Sequence, residues 1–348
     1  MKRTFILLII LLSAIYAKQG YEFLTADGSN SCLLSGKLSD IAEQVIAIPL
    51  QTNKGYSIPN AKQVRKEGDN LFLICNETIY RFNGKGELLN AITDPEIIKV
   101  GGYIIDKRSQ QLIAFGNEDD IHYYTFDGKL IETKKLRSNF SQKKIYSADM
   151  HHGEIWTTEE QITYHPDTNK TSIDVMAVKY DHSFTQLDSK KIISANTGNN
   201  QSLPTYRGSE LCVHQDTGNL YLYNPPLTAD YLLIDTLSFI NHGQPTDNNY
   251  VTAFPIRMGQ RFWLAACEQN MGSLSNYLFC YDTHKNRAWE LKEGFEDDFY
   301  KTGNITNLHS LGLGNPNYYF CKSGKDLENA FPHAANDSLV VFIVKLKA

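Results

Sequence analysis

Short stretches dominated by Val, Ile, Tyr and Phe recur along most of the chain, and turns rich in Gly, Asn and Asp separate them. Runs of this length with such boundaries are typical of β-strands. We find no long stretch with the i, i+3, i+4, i+7 spacing of apolar residues that marks an amphipathic helix. The pattern therefore predicts an all-β protein.

One unit of this pattern repeats: a strand ending in an aromatic residue, then Asp or Asn, a polar turn and another strand. Copies, from the clearest to the most degraded, occupy residues 78–89, 122–131, 176–184, 277–284, 231–236 and 339–346. The residues taken as equivalent in chain order are Phe82, Phe126, Tyr180, Ile234, Tyr281 and Val344, with a mean spacing of about 52 residues. Four-stranded repeats of roughly 40–50 residues are typical of the blades of a β-propeller.

A propeller of six four-stranded antiparallel blades accounts for this pattern but leaves the sixth blade one strand short. The predicted strands, blade by blade, are 62–66, 71–75, 78–82 and 87–92; 97–105, 112–115, 122–126 and 130–136; 145–150, 154–157, 174–180 and 184–193; 206–213, 219–223, 231–235 and 237–240; 250–257, 262–266, 277–281 and 287–291; and 308–311, 318–321 and 339–346. An apolar strand over residues 43–50 remains at the start, and we expect it to close the ring as the outermost strand of the sixth blade. Pro49 suits that position, because an edge strand has N–H groups without a ladder partner. Two separate β-sandwiches are the alternative, but they explain neither the regular spacing nor the missing strand.

The first 17 residues read as a separate segment. Lys2 and Arg3 precede an apolar run over residues 5–12, and small residues up to Ala17 follow. A charged start and a short apolar run are typical of a secretory signal peptide, and the run is too short to cross a bilayer. A buried N-terminal strand is the alternative. The predicted organisation is a signal peptide (1–17), a leader segment (18–42) and one propeller domain (43–348).

Composition narrows the function classes. The 348 residues carry 34 Lys and Arg against 39 Asp and Glu, for a formal net charge of −5, which argues against a nucleic-acid partner. No later segment is apolar enough for a membrane helix. We therefore expect an exported, soluble monomer in the periplasm, at the cell surface or outside the cell.

Several short motifs resemble a known family. They are Ile48-Pro-Leu-Gln-Thr52, Ile79-Tyr-Arg-Phe-Asn-Gly-Lys-Gly86, Phe295-Glu-Asp-Asp-Phe299 and the closing segment 336–347. With the signal peptide, their order resembles the six-bladed β-propeller proteins exported by Bacteroides-type bacteria, which are related in shape to TolB-like and NHL-repeat propellers. The family's Gly-Pro-Gly-Glu-type segment is replaced here by residues 91–96, so this is a divergent member. The resemblance covers residue 43 onward and implies architecture and export, because the family has no established common activity.

The chain lacks the HExxH, GxSxG, Walker and GxGxxG motifs. His151 and His152 are adjacent, but neighbours on a strand point to opposite faces and cannot easily share a metal ion. Residues 293–298 concentrate carboxylates between blades five and six, and such oxygen-rich loops can bind calcium, although most are simply solvated. We expect no cofactor, with calcium at this loop as the one candidate.

Cys267 and Cys280 lie on successive strands of the fifth blade. A symmetric hairpin would place them opposite each other, within reach of a disulfide, whereas a one-residue slip would place them on opposite faces. The sequence leaves both readings open, and two free, buried thiols is the favoured one.

A propeller offers a central funnel lined by the first strand of each blade. Tyr206, Arg207, Arg257 and His309 fall in such strands. Aromatic and guanidinium groups together can hold a sugar, a peptide or an anion, although they can also simply fill the funnel.

Three functions remain. The first is a non-catalytic exported propeller that binds a small molecule, a glycan or a protein at the funnel or the blade loops. The second is a secreted enzyme of the hydrolase, lyase or lactonase type with its active site in the funnel. The third is a structural component of the surface or envelope. The sequence favours the first, because it carries no catalytic motif, but the fold alone does not decide function.

Overall fold

The computed structural model describes the chain from residue 36 onward. Within that range it leaves out residues 53–56, 95–97, 117–119, 136–141, 152, 198–209, 214–219, 224–230, 234–237, 241–250, 260, 271–273, 283, 286, 292–293, 306–307, 313–314, 329 and 332–338. A one-turn helix, α1 (Leu38–Ile41), leads into strand β1 (Ala42–Pro49).

The described residues form six four-stranded antiparallel sheets, which are the blades of the propeller. Blades one and two contain β2 (Lys62–Glu67), β3 (Asn70–Cys75), β4 (Thr78–Asn83), β5 (Leu88–Ala91), β6 (Val100–Asp106), β7 (Gln111–Gly116), β8 (Asp120–Thr125) and β9 (Leu130–Lys135). Blades three and four contain β10 (Gln142–His151), β11 (Glu154–His165), β12 (Lys170–Tyr180), β13 (Gln186–Thr197), β14 (Glu210–Val213), β15 (Leu220–Tyr223), β16 (Tyr231–Leu233) and β17 (Ser238–Ile240).

Blade five and the closing part of the ring complete the chain. Their strands are β18 (Val251–Met258), β19 (Phe262–Asn270), β20 (Leu274–Asp282), β21 (Arg287–Glu290), the small pair β22 (Phe295–Glu296) and β23 (Asn304–Ile305), then β24 (His309–Ser310), β25 (Asn317–Ser323) and β26 (Leu339–Leu346), with a 3₁₀ helix (Gly324–Leu327) after β25. The strand order of blade six is β1, β26, β25, β24. The predicted six-bladed architecture is confirmed.

The N-terminal strand closes the ring as expected. β1 pairs antiparallel with β26, from Ala42 opposite Leu346 to Pro49 opposite Val340. β26 is apolar and buried over Leu339–Val344, which suits an interior strand, whereas β1 is buried only at Ala42, Val45 and Ile48, as suits an edge strand. Pro49 thus lies in an outermost strand.

The core lies between neighbouring blades. In β3, Leu71 and Leu73 pack with residues of blade six, while Phe72 and Ile74 pack with residues of blade two. Successive strand residues point to opposite faces, so a strand buried on both faces can serve two interfaces. This explains why the interior strands read as unbroken apolar runs.

The turns between the third and fourth strands of blades one to three share one geometry. The N–H of the fourth turn residue donates to the C=O of the first in each, at 2.9 Å or 3.0 Å, and the donors are Gly86, Gly128 and Phe184. Their φ angles are +85°, +86° and +59°. This left-handed conformation favours glycine, and Phe184 is the exception.

Pairing of the outer strands corrects one equivalence predicted from the sequence. The residue opposite the first position of the outer strand is Phe82 in blade one, Tyr124 in blade two and Tyr180 in blade three. The predicted equivalence of Phe126 is therefore wrong by two residues. Phe126 instead packs between blades one and two, with its ring 4.9 Å from that of Phe72.

Blade three has longer strands than the sequence predicts. Its β11 and β13 each contain 12 residues, and β12 contains 11. The predicted strand ends at Thr157, but the polar residues Thr158, Glu159 and Gln161 continue it and are buried in the sheet. The Glu159 carboxylate accepts hydrogen bonds from Thr157 and Tyr180, both at 2.6 Å, which is how a buried polar group remains compatible with a strand.

Candidate functional site

The first strand of each blade lines the axial channel, and three of these strands are irregular. Register shifts interrupt β2 between Lys62 and Arg65, β6 between Val100 and Gly102, and β10 between Ile145 and Ser147. Such bulges redirect side chains and occur often beside functional sites.

Gln63 lies within the irregular part of β2. Its φ of +47° is left-handed, which is uncommon for a residue other than glycine. The Gln63 side-chain amide donates to the C=O of Gly101 at 3.4 Å, so it reaches from blade one to the inner strand of blade two. Strain of this kind persists only where the surrounding structure imposes it.

An ion pair joins two inner strands that are not neighbours. The Nη1 of Arg65 in blade one donates to the Oδ2 of Asp149 in blade three, and Nη2 donates to the C=O of Ala148 at 2.9 Å. The side chains of Arg65 and Asp149 are 13% and 12% exposed. Blade two separates their blades along the chain, so this contact passes through the channel.

Blade six contributes to the same place. A Cβ on Gly312 would lie 2.8 Å from Nη1 of Arg65 and 3.2 Å from Oδ2 of Asp149, and the φ of Gly312 is +126°. Glycine is therefore needed for this close approach. Arg65 and Asp149 both lie two residues before the end of their strands. The ion pair consequently lies near the turns that connect the first and second strands of these blades.

Buried aromatic residues hold this cluster. The guanidinium carbon of Arg65 lies 5.7 Å from the ring centre of Tyr103, whose hydroxyl donates to the C=O of Gln63 at 2.7 Å. Burial raises the pKa of Tyr103, so the phenol remains a donor. The N–H of Val64 donates to the hydroxyl of Tyr319 at 3.2 Å, which ties β2 to blade six.

His309 is the one predicted ligand-binding residue whose side chain is described. It lies opposite Tyr319, with ring centres 5.3 Å apart, and is partly exposed on the inner strand of blade six. Arg257 lies on the inner strand of blade five, opposite Trp263, but its side chain is outside the described residues. Tyr206 and Arg207 also lie outside them.

The acidic segment between blades five and six has structural partners. The Asp297 carboxylate accepts from the N–H groups of Phe299, Tyr300 and Thr302, all at 3.1 Å or 3.2 Å. Asp298 accepts from the N–H of Ser39 at 2.9 Å, so it fastens helix α1 to the propeller. These two carboxylates therefore have different partners and do not converge.

Within the part of the chain that the structure describes, no group of three or more His, Cys, Asp and Glu residues could hold a metal ion. The pair His151 and His152 has no described side chains.

The register of blade five separates the two candidate disulfide partners. Cys267 lies opposite Tyr277, and Cys280 lies opposite Leu264. An offset of three residues along a strand is roughly 10 Å, which is beyond disulfide reach. Cys280 is a free, buried thiol, and burial raises its pKa. Of the two arrangements that the sequence left open, the symmetric hairpin is therefore not the one that forms.

Sequence reasoning did not single out Gln63, Arg65 and Asp149. Arg65 and Asp149 are polar, ionisable residues inside the first strand of a blade. Arg257 and His309 were selected from the sequence by that same criterion. Gln63 carried no such signal, because a bulge depends on the pairing of two strands and leaves no fixed sequence pattern.

Six four-stranded blades around an axial channel, closed by an N-terminal strand, define the molecule as a six-bladed β-propeller. Residues 27–233, more than half of the chain, match the model of the family DUF5128, described as a 6-bladed beta-propeller. The chain belongs to this family, and the resemblance inferred from the sequence is confirmed.

Several solved structures match most of this chain at low sequence identity. One, a Bacteroides fragilis protein provisionally described as exported, is 13% identical with a TM-score of 0.56, covering 90% of this chain and 97% of that one. A Bacteroides caccae protein of unknown function is 11% identical with a TM-score of 0.42, covering 72% and 82%. The β-propeller domain of Cps50 (Swd1) from Myceliophteria thermophila is 10% identical with a TM-score of 0.41, covering 85% and 99%. A search of curated proteins found no match.

Proposed function

We propose that this chain is a non-catalytic propeller that binds a ligand in its axial channel. The observation that carries the proposal is the meeting of Arg65 from blade one, Asp149 from blade three and Gly312 from blade six. Irregular strands and a left-handed Gln63 support a binding role, since backbone strain concentrates where side chains must be aimed.

The carboxylate in this cluster favours binding over catalysis. Asp149 accepts from Arg65 through Oδ2 and from the N–H of Met150 through Oδ1 at 2.8 Å. A general base in a hydrolase or lyase must exchange protons with substrate or water. A carboxylate whose two oxygens are already engaged in this way is better suited to position its neighbours than to exchange protons with a substrate.

A thermal-shift screen with calcium, glycans and peptides tests the proposal. A ligand at 100 times its Kd should stabilise the protein by about 2.7 kcal/mol and raise its melting temperature. The double variant Gln63→Ala/His309→Ala should lose this shift, because both partly exposed channel side chains are removed. The control His165→Ala changes an exposed histidine of blade three and should keep it.

The melting temperature of each variant without ligand serves as the reference for its own shift. A ligand that raises the melting temperature equally in the unaltered protein, the double variant and the His165→Ala control binds elsewhere and contradicts the proposed site. Absence of a shift with every class in the screen contradicts ligand binding by this channel for those classes.

We also propose that the chain is exported after removal of residues 1–17. The charged start and short apolar run of this segment support export, although the segment lies outside the described residues. Among the described residues, no helix is long and apolar enough to span a membrane. N-terminal sequencing of the exported protein should begin at Lys18; full-length protein retained in the cytoplasm would contradict export.

A further inference from the structure

We infer that the loop over residues 297–303 is a strap that blocks the outer edge of β1 from pairing with a second copy of this chain. The strap connects β22 to β23 and carries Tyr300. β1 is the outermost strand of blade six, and an open strand edge is a template for pairing with another chain. Self-association at this edge does not depend on what the axial channel binds.

The backbone groups that face away from β26 belong to the odd-numbered residues of β1. The N–H of Leu50 donates to the C=O of Leu339 at 2.9 Å, and backbone groups alternate in direction along an extended strand. In the middle of the outward edge, the Tyr300 hydroxyl accepts from the N–H of Ala47 at 3.4 Å and donates to the C=O of Val45 at 3.2 Å. Tyr300 therefore occupies the groups that an added strand would use.

The two ends of the β1 edge are blunted in other ways. The register of β1 shifts between Ala42 and Gln44, which marks a bulge at the start of the strand. Pro49 has no N–H to donate at its end. Bulges, prolines and covering loops all protect strand edges from pairing. The middle of the edge, around Ile46, is covered by Tyr300 instead.

The strap is built to hold the Tyr300 hydroxyl in place. The Asp297 carboxylate accepts from three N–H groups of the strap, which fixes its shape. The Asp298 carboxylate accepts from both the N–H and the hydroxyl of Ser39, just before β1. The Tyr300 ring packs against Phe342 of β26, with ring centres 5.3 Å apart. The ring therefore lies against blade six while the hydroxyl reaches the edge of β1.

Two copies of the uncovered edge would be complementary to each other. A two-fold axis at Ile46 would place Val45 of one copy opposite Ala47 of the other on both sides of the axis. Each such antiparallel pair can exchange both of its N–H···O hydrogen bonds. Ile46 is 47% exposed and would meet its counterpart at the axis, where facing side chains are close enough for apolar contact. A second copy of the chain is therefore the partner that fits this edge.

Substitution of Tyr300 provides the first test. Tyr300→Ala removes the ring and the hydroxyl, whereas Tyr300→Phe removes the hydroxyl and keeps the packing on Phe342. In sedimentation velocity over a dilution series, the whole exported chain should remain a monomer, and both variants should shift towards a dimer as concentration rises. The shift should be larger for Tyr300→Ala, and Tyr300→Phe decides the result if Tyr300→Ala does not fold. The control Tyr164→Ala removes an exposed tyrosine of blade three and should remain a monomer.

A lysine at the centre of the edge tests where the copies meet. Ile46→Lys would place two like charges opposite each other at the two-fold axis, which opposes pairing. Adding Ile46→Lys to either Tyr300 variant should therefore restore the monomer at every concentration. Monomeric behaviour of the folded Tyr300 variants would overturn the inference, and so would association that Ile46→Lys leaves intact. Dimers of the unaltered protein that Ile46→Lys abolishes would also overturn it, because the strap would then leave the edge open.

Discussion

Arg261→Ala should lower the free energy of unfolding by about 3–5 kcal/mol, because it leaves a buried carboxylate without its cation. Arg261 donates through Nε and Nη2 to the two carboxylate oxygens of Asp282, both at 2.7 Å. The Asp282 side chain is 0% exposed and that of Arg261 is 11% exposed. The pair joins the residue just before β19 to the last residue of β20 in blade five. Nη1 of Arg261 also donates to the C=O of Ala348 at 3.2 Å.

Chemical denaturation of a small set of variants measures this effect. Arg261→Lys keeps the charge but loses the bidentate geometry, so its loss should be intermediate. Arg261→Ala/Asp282→Asn removes both charges and should lose less than Arg261→Ala alone, because no buried charge is left unpaired. If the double variant is the least stable of the three, the cost does not come from an uncompensated carboxylate.

The same pair gives a pH dependence of stability. Burial alone would raise the pKa of Asp282, but hydrogen bonds from Arg261 and from the backbone of Lys285 and His284 outweigh it, and the pKa is lowered. A carboxyl whose pKa is lower in the folded state contributes stability above its unfolded pKa of about 3.9 and loses it as the pH falls further. In Arg261→Ala only the two backbone hydrogen bonds still oppose burial, so the pKa of Asp282 is higher than in the unaltered protein. The stability gap between the two proteins should therefore narrow as the pH is lowered from neutral. A constant gap would contradict this account.

Strand content and ring closure could be predicted because they depend on patterns that every blade repeats. Apolar strands between polar turns recur at a regular spacing, and one surplus strand at the start matches one missing strand at the end. Strand register could not be predicted to the residue. The equivalence of Phe126 is wrong by two positions, and the register of the hairpin with Cys267 and Cys280, which the sequence left open, differs from the symmetric one by three. Bulges and offset turns shift the pairing in this way without a clear signal in the sequence.

The axial cluster escaped prediction for a related reason. Arg65 and Asp149 are 84 residues apart, and their contact depends on the arrangement of three blades around the axis. No local pattern records which charged residues of different inner strands meet. His309 was selected because it lies in an inner strand, and the same criterion applied to every blade would have added Arg65 and Asp149.

The position of Gly86 links a local turn to the closure of the ring. Its N–H donates to the C=O of Asn83 within the turn. Its C=O accepts from the N–H of Gln51, which lies just beyond the end of β1, at 2.7 Å. A Cβ on Gly86 would lie 2.1 Å from the carbonyl oxygen of Pro49. The turn of blade one therefore packs directly against the strand that completes blade six.

Gly86→Ala should consequently lower the free energy of unfolding by about 2–5 kcal/mol, the sum of left-handed backbone strain and an enforced displacement of β1. Gly153→Ala is the matched control, because Gly153 has a φ of +84° and its Cβ would meet nothing within 4 Å. The free energy of unfolding of the control should fall by only about 1–2 kcal/mol, which is the cost of the left-handed backbone conformation for alanine. Denaturation curves give both values.

Hydrogen exchange separates the two contributions further. If Gly86→Ala acts through the closing strand, amide protection should fall first in β1 and β26, while Gly153→Ala should leave protection there unchanged. Equal losses of stability in the two variants, with protection of β1 intact, would mean that the turn of blade one does not support ring closure. A selective loss in β1 would instead establish that the ring is held by two contacts, the ladder to β26 and the close approach of Gly86 to Pro49.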